Sequence, residues 1–207
     1  LISGAPAGMN GYSYRCVVDN STCSAATSSG AALAVQTAPS ISSQPSNETV
    51  CAGNNTSFSV TASGSSLTYQ WQEDQGSGFA NLSNGGVYGG VASATLSLTS
   101  VTAGMTGYNY RCIVGGACTP SVTSNAGALT VQVAPTISTH PVASLNCVGD
   151  NARFYVAASG SNLSYQWQED NGGGYANISN GGVYSGATND TLELTSVTAG
   201  HNNNKYR

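Results

Sequence analysis

The segment SGSSLTYQWQED, residues 63–74, returns almost unchanged as SGSNLSYQWQED at residues 159–170. The two stretches begin 96 residues apart, and the same spacing separates Cys16 from Cys112 and Cys51 from Cys147. The segment TSVTAG likewise occurs at residues 99–104 and again at residues 195–200. Self-similarity at one fixed period is the sequence signature of a repeat architecture.

The period divides the 207 residues into three parts. Residues 1–37 are the C-terminal part of one repeat, residues 38–133 are a complete repeat, and residues 134–207 are a third repeat that breaks off in the strand equivalent to YNYRCIV, residues 108–114. The period places a cysteine directly after Arg207. We therefore interpret the sequence as a window onto a longer tandem array.

The complete repeat shows the period-2 alternation that is typical of half-buried strands. In TSFSVTA, residues 56–62, the apolar side chains of Phe58, Val60 and Ala62 share one face. In LTYQWQ, residues 67–72, Tyr69 and Trp71 face inward in the same way. Clusters of Gly and Asn between these segments supply turns. About seven strands in such a length predict an all-β domain of the β-sandwich type.

These residues resemble the immunoglobulin fold. Trp71 and its counterpart Trp167 stand where strand C carries its core tryptophan, and Tyr110, two residues before Cys112, matches the tyrosine corner of strand F. The resemblance implies tandem immunoglobulin-like β-sandwich domains with a 96-residue period. There is one departure: Val60 occupies the place of the usual strand-B cysteine. We expect Val60 opposite Cys112 in the core, without the usual disulfide between strands B and F.

The amino-acid sequence of the repeat is also similar to that of the immunoglobulin-like repeats of very large Bacteroidota surface proteins. Those proteins include adhesins of gliding motility and other cargo of the type IX secretion route. The resemblance implies an extracellular or cell-surface location. Asp190-Thr191-Leu192 resembles the O-glycosylation acceptor of these bacteria, and the alternative is that Thr191 simply begins strand E.

Composition excludes two classes of partner. Only 7% of the residues are charged, the net charge is −4, and there are five basic residues in all. Nucleic acids and anionic membrane surfaces attract clustered Lys and Arg, so neither is an expected partner. No apolar run approaches the roughly 20 residues of a membrane-spanning helix, so no membrane insertion is expected.

The repeated framework offers no catalytic set. His140 and His201 are replaced by Gln44 and Met105 in the preceding copy, so we expect solvent-exposed loop residues and no enzyme activity in this segment. No cofactor or metal site is expected either. The acidic pair that ends strand C, at 73–74 and 169–170, could help to bind Ca²⁺, but this ion needs six to eight oxygen ligands. We interpret the pair as a solvated turn.

Aromatic residues of strand C could also form a platform for sugars. Tyr69 and Trp71 alternate with Thr68, Gln70 and Gln72, however, which predicts that both rings belong to the core.

Repeated cysteines in a small β-domain indicate an oxidising, extracellular setting. Hairpin bridges are geometrically the easiest, which predicts Cys16–Cys23 and Cys112–Cys118 disulfides. A bridge from Cys51 to Cys118, within a domain or between neighbours, stays open, with Cys147 equivalent to Cys51. A zinc site is the other alternative, but the spacing lacks paired C-x₂-C motifs.

These observations favour a structural, adhesive stalk whose immediate partners are neighbouring repeats of the same chain. Such an array projects a tip or gives multivalent attachment, and other copies in a filament or surface glycans are possible further partners. Two alternatives stay open. The repeats are spacers of an extracellular enzyme whose catalytic domain lies outside this sequence, or the chain is a filament subunit that assembles through strand edges.

Overall fold

A computed structural model describes residues 2–207, and it is all-β apart from three single-turn 3₁₀ helices. The chain forms two compact units, Leu1–Val131 and Gln132–Arg207. None of the helices among the described residues is long and apolar enough to cross a membrane. The all-β fold class predicted from the sequence is confirmed.

The first unit begins with short hairpins and a 3₁₀ turn, Ala7–Met9. Strand β1 pairs with β4 and β2 pairs with β3, both antiparallel. These strands are β1 (Ser13–Tyr14), β2 (Val17–Val18), β3 (Ala26–Thr27) and β4 (Ala31–Ala32).

The complete repeat is a two-sheet sandwich with a 3₁₀ turn at Ala103–Met105. Its strands are β5 (Ser40–Ser43), β6 (Glu48–Cys51), β7 (Thr56–Ser59), β8 (Thr61–Ser63), β9 (Thr68–Asp74), β10 (Phe79–Asn81), β11 (Tyr88–Gly89), β12 (Thr95–Leu98), β13 (Asn109–Gly115), β14 (Val122–Thr123) and β15 (Gly127–Gln132). One sheet has the order β10-β9-β13-β15-β6, with β14 also paired to β13. The opposing strands have the order β11-β12-β7, and β5 pairs with β8.

There are more strands than the seven or so predicted, because some of them are interrupted. The second strand changes its pairing partner after Val60, whose N–H still donates to the carbonyl of Ala94 (3.0 Å), next to β12. β7 pairs with β12, whereas β8 pairs with β5. The first strand is split because β5 pairs with β8 whereas β6 joins the opposite sheet beside β15.

The core of the complete repeat is formed by the inward-facing residues of both sheets. β9 and β13 pair over seven residues, which sets Cys112 opposite Trp71. The fully buried side chains are Phe58, Trp71, Leu96, Leu98, Val101, Tyr110, Cys112, Val114 and Leu129. This alternation explains the sandwich: one face of each strand is apolar and must be covered by the other sheet.

The second unit repeats this pattern and has a 3₁₀ turn at Ala199–His201. Its strands have the orders β17-β22-β21, β20-β19-β23 and β16-β18. They are β16 (Thr136–Thr139), β17 (Ala152–Tyr155), β18 (Ala157–Ser159), β19 (Gln168–Asp170), β20 (Tyr175–Asn177), β21 (Tyr184–Ser185), β22 (Thr191–Leu194) and β23 (Lys205–Tyr206). Its core is built from Ala152, Trp167, Ile178, Ala187, Leu192 and Leu194.

Candidate functional site

The most distinctive group of polar side chains in the complete repeat surrounds one buried carboxylate. Glu73, near the end of β9, has only 7% of its surface exposed. Its Oε1 accepts hydrogen bonds from the hydroxyls of Tyr110 (2.8 Å) and Tyr88. Its Oε2 accepts one from Nε2 of Gln75 (2.6 Å). We call Glu73, Tyr88, Tyr110 and Gln75 the carboxylate cluster.

The carboxylate cluster joins the two sheets. Glu73 and Tyr110 lie on β9 and β13 of one sheet, whereas Tyr88 lies on β11 of the other. Tyr110 also packs against Phe58 with ring centroids 4.8 Å apart. Hydrogen bonds to an ionised group are stronger than neutral ones, so this arrangement is a polar clamp inside an otherwise apolar core.

The third copy contains the same centre at Glu169. Its Oε1 accepts hydrogen bonds from the hydroxyls of Tyr184 and Tyr206, both 2.8 Å, and from Nδ2 of Asn204 (2.9 Å). Tyr206 stacks on Phe154 with ring centroids 4.7 Å apart, in the place where the tilted ring of Tyr110 packs on Phe58 in the complete repeat.

The environment keeps the phenols neutral. Burial, and then the hydrogen bond to Glu73, raises the pKa of both Tyr88 and Tyr110. Burial, followed by the hydrogen bond to Glu169, raises the pKa of Tyr184 to about 12. For Glu169 itself burial acts to raise the pKa, but the hydrogen bonds from the two tyrosines and Asn204 outweigh it and hold the pKa below its usual value. These groups are held in place as hydrogen-bond donors and an acceptor, with the protons on the tyrosines.

The predicted solvated turn at 73–74 is wrong for Glu73, which is buried, and describes only its neighbour. Oδ1 of Asp74 accepts the backbone N–H groups of Gly76 and Gly78, both at 2.8 Å. Asp170 does the same in the third copy, and these two backbone hydrogen bonds, from Gly172 and Gly174, lower the pKa of its carboxyl. The two acidic residues therefore have different structural roles: the first carboxylate lies in the core, and the second accepts the hydrogen bonds of a tight turn.

A second repeated arrangement lies across the next row of side chains. The guanidinium of Arg111 sits 3.9 Å from the ring centroid of Phe79, and its Nε donates to Oε1 of Gln72 (2.8 Å). Nε2 of Gln72 then donates to Oδ1 of Asn81 (2.8 Å).

The third copy keeps the same row. Arg207 stacks on the ring of Tyr175 at 3.8 Å, and its Nε donates to Oε1 of Gln168. The row bonds adjacent strands side by side and leaves its aromatic ring partly exposed in both copies.

The structure places the predicted core markers as follows. Trp71, Val60 and Tyr110 are buried in one cluster, and Trp167 is buried in the second unit. The indole N–H of Trp71 donates to the carbonyl of Ser93, and that of Trp167 donates to the carbonyl of Asn189, both at 2.9 Å. The Tyr110 hydroxyl bonds the Glu73 carboxylate.

The structure contains neither of the predicted disulfides, and all six cysteines are free thiols. Cys112 has no exposed surface, because it sits on the inward face of β13. Its side chain therefore points into the core and away from a hairpin bridge to Cys118, and burial raises the pKa of its thiol to about 11. Cys16, Cys23, Cys51 and Cys147 are exposed.

The remaining candidates do not come together as a site. Thr191 is the first residue of β22, and its hydroxyl donates to Oδ1 of Asp190 (3.0 Å). His201 caps its own turn, where its Nδ1 accepts from the N–H of Thr198 (3.0 Å). His140 lies outside the helices and strands. Among residues 2–207 no three His, Cys, Asp or Glu side chains are grouped so that they could hold a metal ion.

Sequence reasoning missed the partners of the carboxylate cluster. The signal was present, because Glu73 and Tyr88 both recur 96 residues later, as Glu169 and Tyr184. Glu73 also shares the inward face of its strand with Trp71, two residues before it.

In sequence, the chain is similar to part of a larger bacterial protein. No protein-family model matches the chain. Endoglucanase C of Cellulomonas fimi is 34% identical over 148 residues, which are 70% of this chain. The chain spans only 13% of the length of that relative.

Solved structures of similar fold consist of several consecutive domains. The titin fragment I67–I69 matches with a TM-score of 0.60 at 17% identity, over 90% of this chain and 65% of that one. Sidekick-1 immunoglobulin domains 1–4 match with a TM-score of 0.61 at 19% identity, over 94% of this chain and 52% of that one. The extracellular domains 3–5 of Drosophila OTK match with a TM-score of 0.55 at 21% identity, over 90% and 61%. The fold is therefore that of tandem immunoglobulin-like domains, as the sequence predicted.

Proposed function

We propose that this chain is a structural segment of a secreted or cell-surface repeat protein, in which tandem sandwiches form an adhesive stalk. The observation that carries the proposal is the repeated use of ionisable side chains for holding the sandwich together. In the complete repeat both oxygens of Glu73 accept hydrogen bonds, and one of the donors comes from the opposite sheet. The third copy rebuilds the same clamp around Glu169.

Glutamates that join the two sheets suit a domain that must resist a pulling force. Hydrogen bonds that join the two sheets resist their separation. Removing a partner from a buried, fully paired carboxylate strongly destabilises the folded domain. The low charge of the chain, 7%, and its many polar uncharged residues suit a surface that stays hydrated. Each repeat then adds length and, where it binds weakly, adds avidity.

An extracellular location is part of the proposal. It is supported by the tandem immunoglobulin-like fold, by the relative in Cellulomonas fimi, and by the likeness of the repeat to Bacteroidota surface repeats.

A second candidate function is favoured by one observation. The stretch similar to this chain in Endoglucanase C is a small part of that protein, 13% of its length. The repeats would then act as spacers that hold a catalytic domain away from a surface, and the segment itself would carry no reaction.

The experiment that tests the stalk is removal or addition of whole 96-residue units in the surface protein. Attachment of cells or coated beads should weaken step by step with each unit removed, and the projection should shorten by an equal amount each time. A control deletes half a unit, which breaks the clamp and should abolish folding of that repeat. Loss of a catalytic activity on removing one unit, with the neighbouring units folded, contradicts the stalk. A catalytic domain in the flanking reading frame favours the spacer.

A further inference from the structure

The chain contains four Asn-Gly dipeptides, in which the backbone nitrogen of the glycine can attack Cγ of the asparagine and close a five-membered ring. A glycine leaves this approach open because it has no Cβ. The ring closes only where the side-chain amide and the glycine nitrogen can both move into the reacting geometry. The hydrogen bonds of these two groups therefore decide which dipeptide reacts. The four dipeptides are Asn10-Gly11, Asn84-Gly85, Asn171-Gly172 and Asn180-Gly181.

In three of the dipeptides the fold holds both reacting groups, so that hydrogen bonds must break before the ring can close. The side-chain oxygen of the asparagine accepts a backbone N–H, from Val35 to Asn10 (2.9 Å), from Val91 to Asn84 (3.0 Å) and from Ala187 to Asn180 (2.8 Å). The glycine N–H donates to a backbone carbonyl, from Gly11 to Leu33 (2.8 Å), from Gly85 to Tyr88 (2.9 Å) and from Gly181 to Tyr184 (2.9 Å).

The dipeptide Asn171-Gly172, in the turn between β19 and β20, differs from the others in both respects. Asn171 is exposed, and its side-chain amide has no hydrogen-bond partner among residues 2–207. The N–H of Gly172 donates to Oδ1 of Asp170 (2.9 Å), and nothing lies within 4 Å of the position that a Cβ of this glycine would take. An ionised carboxylate only accepts hydrogen bonds, so Asp170 polarises the N–H of the attacking nitrogen and can take up its proton.

We propose that Asn171 is a spontaneous modification site, at which the folded chain converts asparagine into a mixture of aspartate and isoaspartate. The bond from the nitrogen of Gly172 to Cγ of Asn171 forms, and the bond from Cγ to Nδ2 breaks. Nδ2 leaves as ammonia with the proton that the glycine nitrogen loses. Water then opens the ring at one of its two carbonyl carbons, which gives aspartate or isoaspartate. Water is the only co-reactant in this sequence.

The complete repeat has the same turn with a glutamine in place of the asparagine. Gly76 donates to Oδ1 of Asp74 (2.8 Å), but Gln75 would have to close a six-membered ring, and its Nε2 is bound to Oε2 of Glu73 (2.6 Å). The residue after the acidic pair therefore decides whether a repeat changes with time. Each conversion makes the chain one charge more negative, and isoaspartate also adds a methylene to the backbone of the hairpin. The modification is independent of the stalk function.

The test is to incubate the 207-residue chain in warm, mildly alkaline buffer and to follow all four sites by peptide mapping with mass spectrometry. In the folded chain Asn171 should convert at least about tenfold faster than Asn10, Asn84 or Asn180. In concentrated urea, which removes the hydrogen bonds of the fold, the four rates should become similar. Asn171→Gln should remove the reactive site, and Gln75→Asn should create a second one. Unchanged circular dichroism shows that each variant is folded.

Three results would overturn the proposal. One is conversion of Asn171 in the folded chain at a rate no higher than that of the other three asparagines. Another is the same advantage for Asn171 in urea, which assigns the selectivity to the sequence and not to the fold. The third is a folded Gln75→Asn chain in which position 75 stays intact, because its turn has the same hydrogen bond to an aspartate. None of these results bears on graded attachment by whole repeats, so the stalk function and the modification site fail separately.

Discussion

The substitution Glu73→Gln probes the clamp most sharply, because it keeps the shape of the side chain and removes the charge. Three hydrogen bonds converge on the carboxylate, from Tyr88, Tyr110 and Gln75. A hydrogen bond to a charged group contributes about 1.5–3 kcal/mol and a neutral one about 0.5–1.5 kcal/mol, so each bond loses roughly 1 kcal/mol. The new NH₂ group also faces donors on every side. We expect the free energy of unfolding of the complete repeat to fall by about 3 kcal/mol.

Urea unfolding followed by tryptophan fluorescence measures this change. The background substitution Trp167→Phe leaves Trp71, which is fully buried in the complete repeat, as the reporter. Tyr108→Phe is the control, since the Tyr108 hydroxyl makes no hydrogen bond within the described residues; it should change the free energy of unfolding by less than about 0.5 kcal/mol. Combining Glu73→Gln with Tyr110→Phe should cost less than the sum of the two single changes. A loss of stability for Glu73→Gln no larger than the control, or strict additivity, would refute the clamp.

Two further predictions concern pH and backbone strain. The pKa of Glu169 is lowered, so the stability of the second unit should fall as pH drops below 4.5 through the folded pKa of this glutamate. The pKa of Tyr184 is raised to about 12, so the stability should fall again as pH rises from 10 to 12. Thermal unfolding of the Trp71→Phe variant across pH, monitored through the tryptophan of the second unit, checks both limits, and a stability that is flat across them contradicts the reasoning. Gly90→Ala should destabilise the complete repeat by more than about 2 kcal/mol, because φ is +71° and a Cβ would clash with the carbonyl oxygen of Thr95. Gly104→Ala, where nothing lies within 4 Å of the Cβ, is the control, and equal effects in urea unfolding would show that the turn is not strained.

The fold could be predicted because its main signals are local and repeated. Alternation around Phe58 and Trp71 fixes which face of each strand is buried, and the 96-residue period carries the same conclusion to the third copy. The interruption at Val60 could not be predicted, since it depends on which strands pair with the two halves: β7 pairs with β12 and β8 with β5.

The site was harder to predict because its partners come from three strands. The alternation that buries Trp71 also places Glu73 inward, but a carboxylate in a core is expected only when its partners are known. Tyr88 follows a glycine turn, and its approach to Glu73 depends on how the two sheets face each other. The cysteines are a different case, because the sequence contained both signals: proximity favours a bridge from Cys112 to Cys118, whereas strand alternation turns Cys112 into the core, where the structure places it.

Stretching single molecules of a longer array tests whether each repeat folds independently and resists a pulling force. A repeat has 96 residues, and a fully extended chain spans at most about 3.6 Å per residue. Because a folded sandwich of ten-residue strands is roughly 40 Å long, each unfolding event should release roughly 300 Å. We predict a regular series of force peaks at this spacing, with lower forces when every repeat carries the Glu73→Gln change. Irregular spacing, or extension without peaks, would contradict the account.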